Sequence, residues 1–443
     1  MHHFQYRGNA LHAENVAISE IAAQVGTPFY CYSAATLTRH YEVLRAAFGP
    51  LDPLICYSVK ANSNLAVLKL LADAGAGMDV VSHGELLRAL AVGADPAKII
   101  FAGVGKKSTE MAAALDAGIH SFNVESLAEL HALSEVAQAR GQTARVALRI
   151  NPDVDPQTHA KISTGQADTK FGIAYAEARE SYRTAAALPN LQVCGVHMHI
   201  GSQLTKLEPF DTAFQLMRDL ILALRADGHV ISHADLGGGI GVPYDTAPFG
   251  QRAADDGEVH GAQAAGGVSD VALPMDPVDY VGVVRNWLGD LDLQLAIEPG
   301  RMIAANAGIL VTEVICEKAN GGTRFVICDA AMNDLIRPTL YDAEHGIQTV
   351  ELASATETQA MLVGPVCETG DYLSKSALLP ALEPGDLLAI MSAGAYGAVQ
   401  AGTYNTRPLV PEVLVQGDKY AVVRRRPTYQ EMLDLDSIPD WLA

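Results

Sequence analysis

Lys60 stands directly after the apolar run Leu-Ile-Cys-Tyr-Ser-Val at 54–59. Lysine is rarely buried without a partner. A lysine there either snorkels to the surface at a strand end or offers an amine that can form a Schiff base with a carbonyl compound. His197 and His199 lie in Val-His-Met-His-Ile-Gly-Ser-Gln, 196–203, and two-residue spacing puts them on one face of a strand. Such a pair either binds a metal or lays one imidazole flat against a ring. Metal hydrolysis wants further ligands at other strand ends. His83, His120 and His159 form no ligand pair, so no metal is expected and His197 is read as core. Asp235-Leu-Gly-Gly-Gly-Ile-Gly (235–241) clusters glycines whose amides can approach a phosphate closely. Glu298-Pro-Gly-Arg301 adds Gly300 and Arg301 as a second phosphate-suited loop. Glu298 itself can face a protonated pyridine nitrogen and keep the ring an electron sink; its plainer alternative is a salt bridge to Arg301 or a nearby lysine. An amine, two phosphate loops and a ring carboxylate together suit pyridoxal phosphate.

These residues need a frame that gathers strand ends. Eight short apolar runs fall between 54 and 298: 54–59, 78–81, 98–102, 120–124, 145–150, 192–200, 233–238 and 293–298. Several are apolar throughout, as in a strand buried on two faces. Helical patterns separate them. Asn62-Ser63-Asn64 can cap a helix whose Leu65, Leu68 and Leu71 recur at helical spacing before Gly75. Phe210, Phe214, Met217, Ile221 and Leu224 form another stripe. Strand then helix, eight times, predicts an α/β protein built on a (β/α)8 TIM-type barrel, with a doubly wound sheet as competitor. The loops after strands seven and eight, where barrels often bind phosphate, are the two glycine-bearing loops.

From 304 onward the pattern changes. Runs at 309–317, 323–329, 349–353, 360–366, 386–391, 412–418 and 420–425, punctuated by Gly-Asp and Pro-Gly-Asp turns, predict a mostly antiparallel β domain. The expected divisions are 1–34, an N-terminal segment packing with the β domain, 35–303, the barrel, and 304–443, the β domain. Residues 245–273, rich in Ala, Gly, Asp and Gln, read as a surface insertion or an active-site lid. In the β domain, Cys367-Glu368-Thr-Gly-Asp371 and Gly394-Ala-Tyr396-Gly read as loops after apolar strands. Arg337 and Tyr341, four apart, suit recognition of a carboxylate.

Composition narrows the partners. Thirty-one Lys and Arg against 51 Asp and Glu give a formal charge of −20 over 443 residues, which disfavours nucleic acid and anionic membranes. No transmembrane run and no signal-peptide pattern is present. Six scattered cysteines without a CxxC pair predict reduced thiols in a cytoplasmic protein.

The ordered set Tyr-Ser-Val-Lys-Ala-Asn, Asp79-Val-Val-Ser-His-Gly-Glu-Leu, His-Met-His-Ile-Gly-Ser-Gln, Gly-Gly-Gly, Glu-Pro-Gly-Arg, Cys-Glu-Thr-Gly-Asp and Gly-Ala-Tyr-Gly resembles the diaminopimelate decarboxylases. These are pyridoxal-phosphate enzymes of the alanine-racemase-like class, related to ornithine and arginine decarboxylases. The resemblance spans about 14–425. It implies that Lys60 carries the cofactor as a Schiff base and that Cys367 donates a proton. It places Asp79, His199, Ser202, Gly237, Gly238, Gly239, Glu298, Gly300, Arg301 and Tyr396 around the cofactor, with His199 on the ring and Glu298 on its nitrogen. Arg301, Arg337, Tyr341, Glu368 and Tyr396 would hold the substrate, meso-diaminopimelate, which loses CO2 to give L-lysine. It also implies a homodimer in which Cys367 and Glu368 reach the partner's site. Decarboxylation of ornithine, lysine or arginine, racemisation, and non-catalytic cofactor carriage are the alternatives. Three departures stand out: His83 replaces the usual glycine, the 245–273 insertion is long, and Tyr-Asn-Thr-Arg-Pro-Leu-Val replaces the usual Arg-Pro-Arg near the C-terminus.

Overall fold

The computed structural model describes residues 2–156, 158–166, 169–244, 275–353 and 356–442; the 245–273 insertion lies outside them. The chain divides into two units. One comprises Leu37–Pro243 and, among the described residues, those from 275 to Ile303; the other joins the residues up to Thr36 to Tyr244 and to those from Ala304 onward.

The first unit is a closed barrel of eight parallel strands: Leu54–Ser58, Gly77–Val80, Ile99–Phe101, Ser121–Val124, Ala144–Asn151, Leu191–His197, His233–Asp235 and Gln294–Ile297. Each pairs with the next, and the last closes on the first through Ala296 opposite Leu54 and Ile297 opposite Ile55. A two-residue strand, Ile173–Ala174, adds beside the fifth. Cys56, Ile100 and Ala296, from the first, third and eighth strands, pack together in the interior. Asn64 caps the helix Leu65–Asp73, its side chain accepting from the Ala66 amide at 2.9 Å. Val67, Leu68 and Leu71 are its buried positions, while Leu65 faces solvent. On the helix Glu208–Ala226 all five members of the aromatic and aliphatic stripe are buried. Phe210 meets Tyr280 of the helix Pro277–Leu288 edge-on, with centroids 5.1 Å apart.

At the opposite end from the strand termini that carry the site, His233 and His120 are buried with ring centroids 5.4 Å apart. Burial first, then His120 and Arg145, pushes His233 down to about 3. Such a histidine is neutral in the fold but protonates in the unfolded chain below its ordinary value near 6.5. Its support is therefore complete above about pH 6.5 and is lost as pH falls toward 3. At pH 5 the barrel should lose about 2 kcal/mol on this account alone. Urea unfolding at pH 7.5 and pH 5 checks it: His233→Phe should narrow the difference by about 2 kcal/mol, and an undiminished difference in that variant contradicts it.

The second unit is a mostly antiparallel sheet in the order Tyr372–Leu379, Thr358–Val363, Thr323–Cys328, Gly308–Asn320, Phe29–Ser33, Glu412–Gln416, Lys419–Arg424. The thirteen-residue strand Gly308–Asn320 organises it, pairing with Thr323–Cys328 at one end and with Phe29–Ser33 and Leu387–Ile390 at the other. Phe29, Cys31, Ile309, Val311, Ala389, Val413 and Val415 form its core, joined by Phe4, Leu11, Ile18 and Ile21 from the N-terminal residues.

Two of the elements that differ from the sequence reading are in this unit. Tyr372–Leu379 is a strand that was not expected, because Ser and Lys occupy its open face while Leu373, Ala377 and Leu379 are buried. The run at 349–353 is a strand only through Thr349, in Ile347–Thr349. Beyond it the backbone divides its hydrogen bonds: Val350 donates to Leu387, and Leu352 donates to Asn9. All six cysteines are free thiols. Among the described residues no helix is long and apolar enough to cross a membrane.

Candidate active site

The barrel brings a lysine, several carboxylates, two histidines and the glycine loop to the C-terminal ends of its strands. Lys60 lies in a single turn, Val59–Ala61, directly after the first strand. Its Nζ donates to Asp79 Oδ2 at 2.6 Å, and Asp79 sits fully buried on the second strand. Ser58 Oγ is 2.8 Å from the same oxygen and 3.0 Å from the Glu298 carbonyl, so its one proton serves either. Burial pushes Glu85 up to about 7, although Val81 N–H and Lys60 oppose the rise. His83, in the glycine's usual place, opens the helix His83–Ala91 capped by Ser82, and its amide donates to Glu110 at 2.9 Å.

The sixth strand ends at His197, and His199 follows it. His199 Nδ1 accepts from the Gly238 amide at 3.0 Å, so its proton is on Nε2. Burial, with Arg149 and Lys60 nearby, holds its pKa well below the ordinary value. His197 is equally buried, and burial pushes it down to about 4. Its Nε2 lies 3.5 Å from Glu298 Oε2; His197 is thus a wall of the site as well as a core residue.

The three glycines are where close approach demands them. A Cβ on Gly238 would sit 2.1 Å from the Glu298 carbonyl oxygen, and one on Gly239 2.4 Å from that of Gly201. Gly237 and Gly239 also take positive φ, +63° and +105°. Arg301 opens the short helix Arg301–Ala304 after Gly300, and its Nη2 donates to Ser202 Oγ at 3.0 Å.

Glu298, Asp235 and His197 each place a ligand-type atom within 4.8 Å of the others. Asn123 Nδ2 donates to Asp235 Oδ2 at 2.7 Å and to Glu298 Oε1 at 3.0 Å. A donor amide directed at the two carboxylates disfavours a cation between them, so the group is read as a hydrogen-bonded carboxylate cluster. Burial raises both Asp235 and Glu298; the Glu298 charge adds to the rise at Asp235, whereas at Glu298 the neighbouring Asp79 adds to it and Lys60 and a hydrogen bond with Asp235 oppose it.

The remaining predicted residues are in the β unit. Arg337 opens the helix Arg337–Tyr341; it is buried, stacks 4.9 Å over the Tyr244 ring, and its Nε donates to His345 at 3.3 Å. The Tyr341 hydroxyl is 3.4 Å from Gln400 Nε2. Cys367 and Glu368 are exposed in a loop pinned by Asp371, which accepts from the amides of Met332 at 2.7 Å and Val366 at 2.6 Å. Tyr396 takes φ +57°, a backbone conformation that non-glycine residues hold mainly where the surroundings enforce it.

Sequence reasoning missed Arg149, Glu125 and Asn123. Arg149 pairs with Glu125 at 3.0 Å and reaches the His199 carbonyl at 3.4 Å. A charged residue inside the apolar run at 145–150 is the signal that could have found it. Asn123, inside the fourth strand, was the equivalent signal for the carboxylate cluster.

The donor set suits pyridoxal phosphate. Asp79 Oδ1 is buried without a hydrogen-bond partner. Asp79, Asp235 and Glu298 outnumber the single lysine amine among them, so a cationic pyridine nitrogen would relieve the charge. Residues 34–305 match the family described as pyridoxal-dependent decarboxylase, pyridoxal binding domain. The chain is 48% identical over 435 residues to the diaminopimelate decarboxylase of Pseudomonas aeruginosa, covering 98% of this chain and 99% of that one. It is 46% identical over 423 residues to that of Neisseria meningitidis, covering 96% and 98%. The crystal structure of diaminopimelate decarboxylase from Helicobacter pylori complexed with L-lysine superposes with a TM-score of 0.85 at 40% identity, covering 94% of this chain and 98% of the other. The barrel, the lysine at its mouth and the full-length similarity agree, and the chain belongs to the diaminopimelate decarboxylase family of pyridoxal-dependent decarboxylases.

Proposed function

We propose that the chain decarboxylates meso-2,6-diaminopimelate to L-lysine and CO2, the last step of lysine biosynthesis, with pyridoxal 5'-phosphate held at the barrel mouth. The observation that carries this is the Lys60–Asp79 pair at the end of the first strand, in a barrel whose eighth strand ends in buried Glu298. When bound, pyridoxal phosphate supplies an electron sink for the pair released as the bond from Cα to the carboxylate breaks.

The protein's own groups do the rest. Lys60 Nζ holds the cofactor, and Asp79 orients that amine. Glu298 keeps a proton on the ring nitrogen. His199, neutral and fixed by the Gly238 amide, covers a ring face. Gly237, Gly238, Gly239, Ser202, Gly300, Arg301 and Tyr396 receive the phosphate. Arg301, Arg337, Tyr341, Glu368 and Tyr396 hold the substrate. Its distal head group carries one carboxylate and one ammonium, which Arg337 and Glu368 complement in charge. Cys367 or Lys60 returns a proton to Cα. Two chains form a homodimer in which Cys367 and Glu368 serve the partner's barrel, and the protein works in the cytoplasm. The Helicobacter pylori relative's complex with L-lysine, the product of this reaction, supports the reading.

CO2 release measured from diaminopimelate, lysine, ornithine and arginine tests it. Diaminopimelate should exceed each of the others by about 100-fold or more in kcat/KM, because a site built for a second charged head group leaves those charges unpaired with the smaller substrates. Equal use of lysine and diaminopimelate would contradict the assignment.

A further inference from the structure

We infer that Asp235 is a positioning residue: together with Asn123 and the Gly237 amide it locks the Glu298 side chain in place and ties it to the glycine loop. This rests on the reading of Glu298 as the ring nitrogen's partner.

The arrangement is a closed circuit drawn from three barrel strands. Asn123 lies in the fourth, fully buried. Its Nδ2 spends its two protons on Asp235 Oδ2 at 2.7 Å and Glu298 Oε1 at 3.0 Å. Asp235, ending the seventh strand and also fully buried, accepts the Gly237 amide at its other oxygen, Oδ1, at 2.9 Å. The Gly237 carbonyl in turn accepts the Glu298 amide at 2.8 Å. Glu298 is therefore gripped at its backbone and at its carboxylate by one connected set of bonds.

Neither end of the circuit has slack. Gly237 has φ +63°, and a Cβ there would lie 2.7 Å from the Met198 carbonyl oxygen. Asn123 Oδ1 has no hydrogen-bond partner, so only the demand of the two carboxylates for donors sets the direction of its amide. That bridge fixes the orientation of both carboxylates at once. His197 does not replace it, since its Nε2 stands 3.5 Å from Glu298 Oε2, beyond an ordinary hydrogen bond.

Asp235 accepts at two oxygens, whereas an asparagine side chain offers one. Asp235→Asn therefore sets a donor against either the Gly237 amide or Asn123 Nδ2 with almost no change in volume. Asn123→Ala removes the bridge directly. The test measures four proteins, the wild type, Asp235→Asn, Asn123→Ala and the double variant, with Glu298→Gln as control. The readouts are pyridoxal phosphate affinity by absorbance titration of cofactor-free protein, the pH midpoint of the bound cofactor's absorbance band, and kcat and KM for diaminopimelate.

Each single variant should lower cofactor affinity about tenfold and kcat about 10–100-fold, shift the pH midpoint, and leave KM within about threefold. The double variant should be no worse than the more severe single, because one circuit is broken once or twice. An unchanged absorbance band and pH midpoint in Asp235→Asn, or effects that multiply in the double variant, overturns the inference while Glu298→Gln still lowers kcat. A Glu298→Gln protein with wild-type spectrum and kcat overturns the underlying reading of Glu298 and the inference with it. If Asp235→Asn does not fold, Asn123→Ala decides by the same readouts.

Discussion

A Lys60→Ala protein should purify colourless and release CO2 from diaminopimelate at least ~10³-fold more slowly than the wild type. Lys60 is the amine positioned by a buried aspartate at the end of the first barrel strand. Without it the cofactor loses its covalent hold and the reaction loses a group able to move protons at Cα. Asp79 would be left without its lysine partner, a buried charge that costs stability as well; circular dichroism and gel filtration of the variant separate unfolding from loss of chemistry. In the wild type, borohydride reduction followed by peptide mapping should place the pyridoxyl group on Lys60. A folded Lys60→Ala protein that turns over at the wild-type rate ends the cofactor assignment.

The second large effect is restoration of activity by mixing two defective chains. The barrel contributes Lys60, His199 and Glu298, whereas Cys367 and Glu368 belong to the other unit, exposed in a loop that Asp371 braces. In a twofold dimer with shared sites, a chain lacking Lys60 still lends its Cys367 to the partner's barrel. Lys60→Ala and Cys367→Ala proteins, each nearly inactive alone, should recover up to about a quarter of wild-type activity after mixing. Random assortment makes half the dimers mixed, and each of those has one intact site of two. The net charge of −20 per chain opposes pairing only weakly, because salt screens it over about 8–10 Å. Heterodimers that form without any recovery would mean that each chain completes its own site.

Much of this was legible in the sequence because barrel strands buried on two faces are written as apolar runs. All eight runs became strands, and Lys60 and Glu298 stood out as charged residues at their ends. The strand Tyr372–Leu379 was not legible, since its polar face dilutes the apolar signal to a few alternating positions. The circuit of Asn123, Asp235, Gly237 and Glu298 was beyond reach for a different reason. Its members lie far apart in the chain, and only barrel closure, which sets the seventh strand beside the eighth with the fourth facing them, makes them neighbours. His197 read as core because burial and chemistry look alike in a sequence; the structure makes it a buried residue with a nitrogen 3.5 Å from the carboxylate that matters. The 3.0 Å contact that fixes the His199 tautomer was likewise invisible until the glycine loop folded back onto it.

The most direct test of the account is one reaction followed by two detectors: purified protein with pyridoxal phosphate and meso-diaminopimelate, with CO2 and L-lysine measured over the same time course. The account predicts the two products in a one-to-one ratio until substrate is exhausted. Racemised diaminopimelate without CO2, or CO2 without an equal amount of L-lysine, would contradict it.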